Sequence, residues 1–198
     1  MIGGLDSRGV LVLGAAGSGT STLGSRLALR LGWRHVDLDT VLWAPTNPPF
    51  TAMNPPATRT RLLGLSLEGA IGWVLSGSPG AWSDFLVQRL LLSVFLQAPT
   101  ALRVARLKER EARRHGIAID VGNALHVQHE AFLAWAALYD EGPPEGRSLR
   151  RHEAWLASSR APVLRLSSTH SVDHLLNAAL AHPALASLGP DLGRRAQS

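Results

Sequence analysis

The run Gly14-Ala15-Ala16-Gly17-Ser18-Gly19-Thr20-Ser21-Thr22 has the residue types of a site for a polyphosphate. Glycines let the chain turn its backbone N–H groups toward one point, and a helix starting there adds the positive end of its dipole. The apolar run Val10–Leu13 before the loop and the leucine spacing after it supply the strand and the helix. The pattern G-x-x-x-x-G-K-[ST] is met at Gly14, Gly19 and Ser21, with Thr20 in the lysine position. The loop keeps its backbone cradle and the Ser21 hydroxyl for Mg²⁺, and lacks the side chain that reaches the β- and γ-phosphates. It therefore supports binding of a nucleoside triphosphate such as ATP more directly than its turnover.

Acid–base and acceptor chemistry is expected elsewhere. In His35-Val36-Asp37-Leu38-Asp39 the period of two puts Asp37 and Asp39 on one side of a strand, at its C-terminal end, where open α/β sheets bind ligands. The alternative is that one aspartate caps a helix beginning at Thr40. Arg59 and Arg61 lie in a helical stretch after the proline-rich segment and can hold an acidic or polar substrate or stand as exposed helix charge. Ser76-Gly77-Ser78-Pro79-Gly80 is a second glycine turn at a strand end, with Trp82 just beyond as a candidate pocket wall. Arg106, Lys108, Arg110, Arg113 and Arg114 crowd one helix, several on one face. His126, His129 and Glu130 lack zinc-helix spacing, and His35 is read as a packing or surface histidine.

The elements that must position these groups alternate along the chain. Strands are predicted at Val10–Leu13, Trp33–Asp39, Trp73–Leu75, Leu90–Leu96 and Val163–Leu166. Helices are predicted at Ser21–Leu31, Ala57–Glu68, Thr100–Arg114, Asn123–Tyr139, Ser148–Ala157 and Val172–His182, with loops at Ala44–Pro56 and Asp140–Gly146. Alternation of this kind predicts a three-layer α/β fold with a five-stranded parallel sheet. One domain, residues 1–188, is expected, with a substrate-covering segment at about 44–72, a lid at about 103–122 and a flexible tail at 189–198.

Composition narrows the classes. The chain of 198 residues has no cysteine, which excludes disulfide scaffolds, thiolate metal sites and a cysteine nucleophile, and suits a reducing cytoplasm. The net charge is +5, and Lys108 is the single lysine among 20 basic residues. The arginines are dispersed rather than clustered with aromatics, so nucleic acid is not the expected partner. The first apolar run is about four residues against roughly 7 to 15 for a secretory signal, and no stretch reaches a membrane span.

With these motifs in place, the chain from Val10 to about His182 resembles small P-loop kinases of the shikimate, gluconate and adenylate kinase kind. The resemblance implies a P-loop NTPase fold with sheet order 2-3-1-4-5. Asp37-Leu38-Asp39 resembles the D-x-D of shikimate kinase, which implies Asp37 near Mg²⁺ and the acceptor hydroxyl and Asp39 on the substrate. Ser76-Gly77-Ser78 stands in place of that family's Gly-Gly-Gly substrate loop and matches only its middle glycine. The segment from Arg106 to Arg114 resembles the lid, where Arg110 and Arg113 are the favoured cations for the transferred phosphoryl group. Ser167-Ser168-Thr169 resembles the adenine-side loop. A bacterial branch with G-S-G-T-[ST]-T loops is similar to the chain at Thr20. The implied activity is ATP- and Mg²⁺-dependent phosphorylation of a small hydroxylated metabolite; the alternative is a nucleotide-binding protein without phosphotransfer.

Overall fold

Strand β1 (Gly9–Gly14) shows why the sheet is covered on both faces. Val10 and Val12 point into one core with Leu23, Leu27, Val94, Leu175 and Ala179. Leu11 and Leu13 point into the other with Val36, Leu63, Leu67, Leu75 and Phe95. A strand whose alternate residues are all apolar can be buried only between two layers of helices. The computed structural model describes residues 7–47, 49–142 and 146–188. Pro48 and the predicted tail at 189–198 lie outside the described residues.

The other strands are β2 (Arg34–Asp37), β3 (Trp73–Ser76), β4 (Leu90–Gln97) and β5 (Val163–Ser167). All pairings are parallel, in the order β2-β3-β1-β4-β5. The helices are α1 (Thr20–Leu31), α2 (Leu38–Leu42), α3 (Pro56–Leu67), α4 (Thr100–His115), α5 (His126–Ala137), α6 (Leu149–Ser158), α7 (Val172–Ala181) and α8 (Pro183–Ala186). This is the three-layer P-loop NTPase fold with the expected strand order. In register, Val12 stands beside Ser76 and Asp37 beside Ser76 on the next strand, so the C-terminal ends of β1, β3 and β2 meet at one rim.

The second strand is shorter than predicted, ending at Asp37 instead of Asp39. The Asp37 carboxylate accepts the Asp39 backbone N–H at 3.0 Å and caps α2, as in the capping alternative, with the helix starting at Leu38, two residues before the Thr40 of that alternative. Capping thus overrides the alternation: Asp39 lies in the first turn of a helix rather than on a strand face. The segment Ala81–Arg89 is a 3₁₀ helix, with no 3.6-residue periodicity to announce it. Helix α5 begins at His126, three residues later than predicted, after a 3₁₀ turn at Gly116–Ile119. Within the expected loop after Trp43, an antiparallel bridge joins Trp43 to Met53, and Asn54 Nδ2 donates to the carbonyls of Val41 and Trp43. Among the described residues, no helix is long and apolar enough to cross a membrane.

Candidate active site

The loop between β1 and α1 is built by backbone. Gly17 (φ 78°) and Gly19 (φ 91°) occupy the left-handed region, which L side chains enter only at a cost. A Cβ on Gly17 would lie 2.5 Å from the Arg103 carbonyl oxygen, so α4 closes on the loop and only glycine fits. The first turn of α1 carries no side-chain cap and no acidic residue, which leaves its amides for an anion. Ser18 is 1% exposed, and its Oγ has no hydrogen-bond partner among the described residues. Thr20, in the lysine position, is buried, with its methyl 3.3 Å from where a Gly14 Cβ would stand.

At the mouth of this loop, Ser21 Oγ donates to Asp37 Oδ2 at 2.5 Å. A hydroxyl from the start of α1 and a carboxylate from the end of β2 are hard oxygen donors of the kind Mg²⁺ takes. No group of three or more acidic or histidine side chains able to hold a metal exists among the described residues, so any ion here would draw on Ser21, Asp37, water and phosphate. Behind Asp37, His35 Nε2 and Ser76 Oγ are 2.9 Å apart, packed against Gly24 of α1. Burial lowers the His35 pKa, with the Asp37 charge opposing.

The other side of this rim draws on distant parts of the chain. Arg147 Nη2 donates to Asp39 Oδ1 at 3.1 Å; the arginine side chain is mostly buried and the aspartate half-exposed. Gly77 (φ 119°) lies against this corner: a Cβ there would be 3.9 Å from Asp37 Oδ1. Ser78 Oγ is 2.8 Å from His152 Nε2, and His152 Nδ1 is 2.7 Å from the Tyr139 hydroxyl. Burial pushes His152 down to about 3, helped by the Arg147 charge, and pushes the Tyr139 phenol up. The imidazole is therefore neutral and the phenol protonated at any working pH. Arg59 is turned toward its own loop, Nε donating to the Asn54 carbonyl at 2.5 Å. Trp82 packs against the core beside α3, where its carbonyl accepts from Thr60 Oγ1 at 3.0 Å.

On α4 the arginines have separate fates. Arg103 is fully buried; it donates to the Ala98 and Ala136 carbonyls and pairs with Asp140 at 2.8 Å. Arg106 donates to Ser168 Oγ at 2.6 Å and to its carbonyl at 2.8 Å, which ties the helix to the loop after β5. Arg110 pairs with Glu111 at 2.9 Å and lies over the Phe132 ring, and Arg113 pairs with Glu109. Lys108 is exposed and has no ion pair among the described residues. Arg147 and His152 carry no sequence signal as site residues, and Tyr139 reads from sequence as a packing residue of the predicted helix Asn123–Tyr139. Their segment carries no motif, and the one usable signal was polar: a buried Tyr and a buried His must each find a partner.

A glycine cradle between β1 and α1, a hydroxyl and a carboxylate at its mouth, and the order 2-3-1-4-5 define a P-loop protein with the fold of the small kinases. No family model matches the chain. It is 37% identical over 173 residues to the uncharacterized protein YqaC of Bacillus subtilis (strain 168), covering 87% of this chain and 96% of that protein; the chain belongs to the YqaC family. A sugar kinase from Janibacter sp. HTCC2649 superposes with a TM-score of 0.52 at 15% identity, covering 94% of this chain and 98% of that one. A gluconokinase from Sinorhizobium meliloti 1021 gives 0.52 at 17%, covering 96% and 98%. A shikimate kinase from Bacteroides thetaiotaomicron gives 0.52 at 13%, covering 87% and 96%. At these identities the likeness is one of fold.

Proposed function

We propose that this protein is an ATP-dependent phosphotransferase acting on a small hydroxylated metabolite, with Mg²⁺ as cofactor. The observation that carries the reading is the 2.5 Å contact between Ser21 Oγ and Asp37 Oδ2 at the mouth of the glycine loop. It joins the phosphate side to the acceptor side of the rim. Residues Gly14, Ala15, Ala16, Gly17, Ser18, Gly19, Thr20, Ser21 and Thr22 hold the triphosphate, chiefly through backbone. Ser21 and Asp37 hold Mg²⁺, which when bound neutralises phosphate charge. Asp37 also takes the acceptor proton, since a carboxylate within reach of the attacking hydroxyl is a general base. Asp39, Arg59, Gly77, Ser78 and Trp82 form the acceptor side, and Arg110 and Arg113 close over the phosphoryl group once they leave Glu111 and Glu109. The protein works in the cytoplasm as one domain, residues 1–188, with a substrate-covering segment at 44–72 and a lid at 103–122.

A second reading, nucleotide binding without transfer, is favoured by Thr20: it is buried and uncharged where a phosphate-reaching lysine would stand. One experiment separates the two. ADP release is measured with ATP, Mg²⁺ and a panel of polyols, sugars and hydroxy acids, beside a thermal-shift titration of ATP. Acceptor-dependent ADP release establishes transfer. A saturable thermal shift with no ADP from any acceptor establishes the second reading, and no shift at all overturns both.

A further inference from the structure

We propose that Ser78 faces the acceptor as a hydrogen-bond donor of fixed polarity, and that His152 and Tyr139 are the positioning residues that fix it. The acceptor's identity as a phosphorylated metabolite rests on the proposed function above; the polarity itself does not.

The three side chains form one line, Tyr139 Oη to His152 Nδ1 at 2.7 Å and His152 Nε2 to Ser78 Oγ at 2.8 Å. A neutral imidazole has one N–H and one lone pair, so the line can run in only two directions. If Nδ1 held the proton, it would donate to the Tyr139 oxygen, and the phenolic proton would have no acceptor among the described residues. Tyr139 is 6% exposed, and a buried unmet O–H costs about 1–3 kcal/mol. In the other direction every buried proton is placed. The phenol donates to Nδ1, and Nε2–H donates to Ser78 Oγ. The Ser78 hydroxyl proton is then left over, on the one member of the line that is partly exposed.

That direction also excludes a nucleophile–base pair. Nε2 already carries its proton and cannot take the one on Ser78. The low His152 pKa agrees, because so weak a base has little use for that proton. Ser78 adjoins Gly77, which lies against Asp37, and Arg147, whose charge acts on His152, pairs with Asp39, so the partly exposed Ser78 hydroxyl belongs to the same strand-end rim as the carboxylates. Asp37 and Asp39, when ionised, only accept hydrogen bonds. Ser78 supplies the opposite polarity. An acceptor molecule must then present hydroxyls to the aspartates and one lone-pair oxygen, as a carboxylate, carbonyl, ether or second hydroxyl, to Ser78.

The first arm of the test is a long-range ¹H–¹⁵N correlation spectrum of the labelled full-length protein. His152 is expected with an unprotonated, pyridine-type Nδ1 and a protonated Nε2; the reverse pattern overturns the proposal whether or not the protein is an enzyme. The second arm uses ATP, Mg²⁺ and whichever polyol, sugar or hydroxy acid supports ADP release. Tyr139→Phe and Ser78→Ala should each raise the acceptor KM about tenfold, with kcat and the KM for ATP within about twofold. Ser78→Thr, which keeps the hydroxyl, should stay near wild type, and the double variant should be no worse than Ser78→Ala. An unchanged KM in Tyr139→Phe, or losses that multiply in the double variant, overturns the positioning role. Should Tyr139→Phe fail to fold, Ser78→Ala against Ser78→Thr decides together with the spectrum. If no compound supports ADP release, the phosphotransferase reading fails and the spectrum still decides the polarity of Ser78.

Discussion

In the proposed function, the glycine loop and the rim around Asp39 and Ser78 face the same problem, holding a polar ligand at the end of a parallel sheet, and they are built by opposite means. The loop uses backbone and contiguous residues: Gly17 and Gly19 in the left-handed region, and an uncapped α1. The rim uses side chains brought from far apart, Asp39 with Arg147 and Ser78 with His152. A backbone site tolerates change of side-chain identity, which is why Thr20 can replace a lysine without removing the cradle. A side-chain site has no such reserve, because each group depends on a partner that a single substitution deletes.

The sharpest way to break this comparison is to attack the loop's backbone. Gly19→Val should abolish nucleotide binding, a loss of at least about a hundredfold in Kd, because a β-branched residue disfavours φ near 91°. The fold should survive, since a Cβ at Gly19 meets only Leu96 Cδ2 at 3.9 Å. Calorimetric titration with ATP, beside a circular dichroism melt, checks both halves; unchanged affinity would mean the loop is not the phosphate site. If an arginine of the proposed lid reaches the phosphoryl group, neutralising it should cost about 10³-fold in turnover with little change in ATP affinity, the lower end of what arginine fingers contribute. Arg110→Ala and Arg113→Ala are the variants to assay. If neither loses tenfold, the missing lysine is not replaced from the lid by either arginine.

The same contrast explains what could be read from sequence. The loop was visible because its determinants are consecutive, and a doubly covered sheet follows from the apolar run of β1. The strand order came through family resemblance, since periodicity says nothing about which strands pair. The end of β2 differs from its predicted end because Asp37 satisfies two rules at once: alternation places it on a strand face, and its carboxylate caps the next helix at 3.0 Å. The Asp39–Arg147 pair spans 108 residues and the Ser78–His152 pair 74, with no spacing pattern to connect them. Tyr139 reads as a packing residue in sequence and does pack, with its ring beneath Arg103; its hydroxyl does the rest.

Within the rim, the two aspartates should separate. Asp37→Asn keeps the shape but removes the charge beside Ser21 and the proton acceptor, so turnover should fall about a hundredfold with ATP affinity nearly kept. Asp39→Asn weakens the pair with Arg147 and should raise the acceptor KM about tenfold with kcat little changed. Steady-state assays in both substrates distinguish them. Equal effects on kcat and KM in the two variants would keep the pair and erase the division of labour.

The smallest effect is one of pH on stability, and it falls on the rim alone. His152 is held at about 3 in the folded protein by burial and by Arg147, against 6.5 when unfolded. Between those values the unfolded chain binds a proton that the folded chain does not, so stability rises with pH and is lost as pH falls below about 6.5. The slope from one such group is at most about 1.4 kcal/mol per pH unit, and above pH 6.5 it vanishes. His35 is lowered in the same direction, but it is present in any His152 variant and cancels in the comparison. His152→Gln cannot take up this proton, so its urea midpoint should fall less steeply than wild type between pH 6.5 and 5, a range in which most carboxylates remain ionised. Parallel curves would show that His152 is charged in the folded protein. A charged imidazole would donate from both nitrogens, and the rim would then owe its polarity to that charge rather than to the Tyr139 hydroxyl.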